Sequence, residues 1–61
     1  MAESYPKKKE IDGHKYEKYF TGSSKAVDDF IESHQVTEKY YYRTFKDGHK
    51  RHLYLRPKLN R

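Results

Sequence analysis

From position 40 the chain reads Tyr40-Tyr41-Tyr42-Arg43-Thr44-Phe45-Lys46, then Asp47-Gly48, then His49-Lys50-Arg51-His52-Leu53-Tyr54-Leu55-Arg56-Pro57. Both runs favour extended backbone, because Tyr, Phe and Thr fit a pleated, half-buried surface. Asp-Gly between them suits a two-residue type I′ turn, which needs positive φ at both positions and matches the twist of a hairpin. With Asp47-Gly48 as the loop, Lys46 faces His49, Thr44 faces Arg51, Tyr42 faces Leu53 and Tyr40 faces Leu55. A three-residue loop closed by a Gly bulge would instead exchange Tyr41 and Phe45 with Tyr40 and Tyr42.

The two-residue register separates two faces. Tyr40, Tyr42, Thr44, Arg51, Leu53 and Leu55 share one; Tyr41, Arg43, Phe45, Lys50, His52, Tyr54 and Arg56 share the other. Pro57 cannot donate to a ladder and ends the second run.

Upstream, His14 to Thr21 alternates, with Tyr16 and Phe20 on one side and Lys15, Glu17 and Tyr19 on the other, which predicts a half-buried strand. Lys18 is the exception on the apolar side. Gly22-Ser23-Ser24 then breaks the strand and offers a hydroxyl to cap a helix. Val27, Phe30, Ile31 and His34 follow at i, i+3, i+4 and i+7, so a helix is expected from Ser24 to about Gln35. Asp28 and Asp29 lie in its N-terminal half, where the helix dipole favours negative charge, and His34 lies where a proton is welcome.

Strand, helix, strand, strand assembles most simply with a right-handed crossover through the helix. The return strand of the hairpin then slots between the other two. The expected architecture is a small α+β domain of split β-α-β-β type, a three-stranded sheet of order 1-3-2 with one helix on one face. A plain antiparallel meander with the helix across it is the alternative. Val27, Phe30 and Ile31 are expected to pack on Phe20, Tyr16, Tyr40, Tyr42, Leu53 and Leu55.

The domain is assigned to residues 13–57. Residues 1–12, with Pro6, Lys7-Lys8-Lys9 and Asp12-Gly13, have neither periodicity and read as a flexible basic arm; residues 58–61 read as a short basic tail.

Composition sets the scale of this core. The chain has 61 residues, 16% aromatic and 38% charged, and no cysteine. A chain this short buries only about 60% of its unfolded surface, so help from a partner or a second copy is expected. Without cysteine there are no disulfides or thiolate chemistry, which agrees with a reducing compartment. No run approaches the ~20 apolar residues of a membrane span, and no apolar core of a signal peptide is present near Met1, so a cytoplasmic location without membrane attachment is expected.

Charge is divided unevenly. Residues 39–61 hold eight Lys+Arg and one Asp, net +7, whereas residues 24–38 hold one Lys and four acids, net −3. The helix leaves one sheet face uncovered, and that face presents Lys15, Tyr19, Tyr41, Arg43, Phe45, Lys50, His52, Tyr54 and Arg56. Rings interleaved with cations suit nucleic acid, DNA or RNA, because rings stack on unpaired bases while Lys and Arg neutralise phosphates. The same aromatics also serve as cross-strand pairs or as a protein interface, including one between two copies of the chain.

Catalytic chemistry finds little footing. Asp28 and Asp29 point about 100° apart on a helix, Ser23 and Ser24 are explained by capping, and Gly13, Gly22 and Gly48 are isolated turn residues rather than a phosphate loop. His49 and His52, three apart on a strand, point to opposite faces and lie among cations, so no metal or other cofactor is expected. The sequence therefore reads as a non-enzymatic protein that binds nucleic acid. The alternative is a protein-interaction module or homodimer, a small regulator or inhibitor of a larger partner, using the same face or an edge strand.

Overall fold

A computed structural model describes residues 5–58. Strands β1 (Lys8–Ile11), β2 (His14–Gly22), β3 (Tyr40–Asp47) and β4 (Lys50–Pro57) form one antiparallel sheet of order β1-β2-β4-β3. Helices α1 (Ser24–Ser33) and α2 (Val36–Lys39) lie between β2 and β3. The fold is α+β, but the sheet has four strands rather than three. The expected strands occupy β2-β4-β3, with the hairpin return strand between the other two, and β1 is added at the edge from residues read as part of the arm. Residues 1–4 of that arm, and 59–61 of the tail, lie outside the described residues.

The reason for the extra strand is a turn. Ile11 pairs with His14, and Asp12 and Gly13 between them have φ of 53° and 80°. Two positive φ values in a two-residue loop are the type I′ signature that Asp-Gly favours. Asp12-Gly13 thus forms the kind of turn expected of Asp47-Gly48. At the second hairpin Asp47 instead pairs with Lys50, and Gly48 and His49 form the loop. Only Gly48, at φ 63°, is left-handed there, as in a type II′ turn with glycine first. The register moves by two residues, so that Tyr42 faces Leu55, Thr44 faces Leu53 and Phe45 faces His52. Because side chains alternate with period two, the two expected faces of this hairpin survive.

Gly48→Val is expected to cost roughly 1–2 kcal/mol, since a β-branched residue must be held at positive φ. The space beside Gly48 is open, so this is a backbone effect free of any clash. An unchanged denaturation midpoint would show that the turn has another conformation.

The helix begins as expected. Ser23 is its N-cap, its hydroxyl accepting from the Ala26 N–H at 3.1 Å. It stops earlier than Gln35: His34 caps the C-terminus, stacks on Phe30 at 4.1 Å, and is followed by Gln35 in the left-handed conformation. That reversal starts α2 and buries Val36. The core consists of Val27, Val36, Leu53 and Leu55, with Phe20, Phe30, Ile31 and Tyr40 against it. Val36 is an addition to the expected set, while Tyr16 faces away and Tyr42 remains exposed. Among the described residues no helix is long and apolar enough to cross a membrane.

Candidate nucleic-acid interface

The face opposite the helix is not open. β2 carries a bulge: Lys18 pairs with Tyr54 and Phe20 with Leu53, which leaves Tyr19 extra between them. One extra residue inverts the alternation of side chains and bends the strand. Phe20 consequently faces the helix, whereas Tyr16 and Lys18 face the other way beside Tyr54. Both expected sides of β2 therefore fail before the bulge. Lys15 and Glu17 share the helix side of the sheet, opposite to their expected place. Tyr19, also assigned to the uncovered face, sits against Tyr40 at 5.9 Å and is 52% exposed. The Tyr40 phenol, then burial and the Glu17 carboxylate, raise the Tyr19 phenol above its ordinary value, so it stays neutral.

The bend curls the sheet. Asp12, in the β1–β2 turn, forms an ion pair with Arg43 on β3, although β2 and β4 lie between. In a flat sheet with strands ~4.8 Å apart, that reach would exceed about 10 Å. Lys9 of β1 also crosses, its ammonium 4.7 Å from the Phe45 ring centre and 4.9 Å from that of Tyr5.

Residues preceding β1 complete the cover. Tyr5 stacks on His52 at 4.5 Å and lies 5.9 Å from Phe45. The Tyr54 hydroxyl donates to the Pro6 carbonyl at 2.5 Å. Lys18 donates twice, from Nζ to the Tyr5 carbonyl at 2.8 Å and from its backbone N–H to the Lys7 carbonyl at 2.6 Å. Lysine on the apolar side of β2 is thereby explained: it ties down this strap. Tyr54 is left 0% exposed and His52 7%. His52 Nε2 lies 3.4 Å from the Asp47 carboxylate and Nδ1 lies 2.9 Å from the Thr21 hydroxyl, so both ring nitrogens have partners. Its ring is thus a satisfied structural group.

The eight expected binding residues therefore separate. Tyr54, His52 and Phe45 belong to a second small core under Tyr5. Tyr19 is on the other face. Tyr41, Arg43, Lys50 and Arg56 remain on the outer surface of the β3–β4 hairpin, where Tyr41 is 46% exposed and the Arg56 guanidinium lies 4.4 Å from its ring centre. Lys58, read only as tail, joins them, its Nζ 5.4 Å from Tyr41 and donating to the Thr37 carbonyl at 2.8 Å. Arg56 also lies over Tyr16, at 5.8 Å. Among the described residues, no three His, Asp or Glu side chains converge to hold a metal ion.

The strap leaves no periodic signal in the sequence, because Tyr5 is a lone aromatic beside a proline. The curl had a readable cue in Asp12-Gly13, whose turn chemistry implies a partner strand before it. Comparison with known proteins finds no family model that matches the chain, and no curated protein or solved structure with significant similarity.

Proposed function

We propose that this chain is a small basic, non-enzymatic protein that binds nucleic acid along the outer surface of the β3–β4 hairpin, favouring single strands. The observation that carries the reading is the cluster around Tyr41: a half-exposed ring with Arg56 and Lys58 over it and Arg43 two residues along the strand. An unpaired base stacks on such a ring while the cations take its phosphates. Lys50 extends the positive surface toward the turn, whereas Asp28, Asp29, Glu32 and Glu38 belong to the helices. Because the strap covers Tyr54, His52 and Phe45, stacking on this face centres on Tyr41.

Titrating labelled single- and double-stranded oligonucleotides at several salt concentrations tests this. Binding should weaken steeply with salt, and Lys50→Ala should lower the slope by about one unit, the signature of one phosphate contact. Arg43→Ala should lower it less, since Asp12 already neutralises Arg43 in part. Tyr41→Ala should cost roughly 1–3 kcal/mol for single strands with little change in slope. Asp29→Ala and Glu32→Ala should not weaken binding. Absence of any salt-sensitive binding removes the proposal.

One feature favours the second reading, an interaction module or homodimer. β3 is an eight-residue edge strand without proline, exposing Tyr41 and Tyr42 on opposite faces. Such an edge is a template for another strand. Light scattering decides it: a dimer whose stability is insensitive to salt would favour this reading over phosphate binding.

A further inference from the structure

Among the described residues, Arg56 is a cation without a counterion. Its guanidinium lies between the Tyr16 and Tyr41 rings, and its Nε is buried with no hydrogen-bond partner. No carboxylate forms an ion pair with Arg56 or Lys58 among the described residues. By contrast, Arg43 and Arg51 on the same hairpin each have an aspartate partner. Stacking on rings orients the guanidinium and holds its plane without discharging it. A buried donor left unpaired carries a penalty that a nearby anion relieves in part. Arg56 as a whole is only partly buried, with Nε the atom shut away from solvent.

Beside this group, at the β3 edge, lies a shallow recess of about 410 Å³ lined by Tyr16, Tyr41, Arg43 and Lys58 together with Thr37, Tyr40 and Tyr42; Arg56 is not in its lining and borders it through the Tyr16 and Tyr41 rings that hold it. Three cations therefore converge around one exposed ring, and the single acid among them, Asp12, is taken by Arg43. We infer that this recess is a nucleotide subsite: Arg56 and Lys58 take one phosphate group and Tyr41 stacks the adjoining base. The inference deepens the nucleic-acid reading and rests on it for the identity of the strand. The site itself requires only a phosphate joined to a flat ring. A fork of planar donors suits phosphate oxygens, and arginine makes such contacts bidentately where lysine acts as a point charge.

The test is a nuclear magnetic resonance titration of the full chain at constant ionic strength, following the Arg56 Nε–H and the Tyr41 ring. Three probes are used: inorganic phosphate, thymidine 5′-monophosphate and oligothymidylate, with sodium chloride as the blank. Inorganic phosphate should move the Arg56 signal alone, and the mononucleotide should move both. Arg56→Lys should weaken oligothymidylate binding roughly tenfold, about the worth of one lost charge-assisted bond, while keeping the salt slope. Arg56→Gln should lower that slope by about one unit. If Arg56→Gln fails to fold, Arg56→Lys and the wild-type titrations decide, since lysine keeps an aliphatic stem between the two tyrosines. Oligothymidylate bound equally well by Arg56→Lys and wild type overturns the subsite and leaves the broader reading standing. Mononucleotide shifts at Arg56 and Tyr41 without strand binding do the reverse. An Arg56 signal that answers only to sodium chloride overturns the subsite outright.

Discussion

Tyr54→Ala should lower the unfolding free energy by roughly 3–5 kcal/mol, the range for deleting a large buried aromatic side chain. At about 0.05–0.15 kcal/mol per residue, a chain of this length has only ~3–9 kcal/mol to lose, so much of the population would unfold. The magnitude follows from position. Tyr54 lies on the central strand β4, is fully buried, meets Phe45 edge to face at 5.5 Å, and holds the strap through the Pro6 carbonyl. Its removal opens a cavity and releases a carbonyl in one step. Tyr54→Phe separates the two effects, keeping the ring and costing about 1 kcal/mol for the hydrogen bond. It should also speed amide exchange at Lys18, whose N–H is bonded to Lys7 in the strap. Urea denaturation and hydrogen exchange supply both numbers. A Tyr54→Ala protein as stable as wild type would mean that the strap does not cover this ring, and Tyr54 would return to the binding surface as a stacking platform.

That reversal of role shows where sequence reading succeeds on this chain. Leu53 and Leu55 against His52 and Tyr54 are separated correctly, because period-two alternation is insensitive to a register error of two residues. The helix start is equally legible, since Ser23 and the Val27, Phe30, Ile31 stripe are local signals. β2 fails for a physical reason: the bulge at Tyr19 inserts one residue, and alternation counted through it assigns Tyr16 and Tyr19 to the wrong sides. Its trace in the sequence is Lys18, a charge on the side that simple alternation makes apolar. The strap leaves less trace. Nothing local to Tyr5 shows that it will stack on His52, 47 residues away, because that contact exists only once the sheet has curled. The candidate site was therefore legible as a charge distribution and as Tyr41, Arg43, Lys50 and Arg56. Which rings remain exposed was decided by long-range packing.

Leu53→Ala tests the other face of the same strand, and should cost roughly 2–4 kcal/mol. Leu53 is fully buried, pairs with Phe20 on one side and Thr44 on the other, and belongs to the cluster of Val27, Val36 and Leu55 beneath α1. A two-layer domain with so few aliphatic residues has little with which to refill the space. α1 is also held from both ends, by the Ser23 cap and by the Gln35 reversal that buries Val36, so it has little freedom to sink toward the sheet. The cavity should consequently persist, placing the loss toward the upper part of that range. Leu53→Met, which nearly conserves volume, should cost less than about 1.5 kcal/mol. The pair distinguishes lost packing from a disturbed strand, since a backbone defect would penalise both alike. Comparable urea midpoints for Leu53→Ala and wild type would remove Leu53 from the core and overturn the β2–β4 register, and with it the bulge that turns Tyr16 toward Arg56.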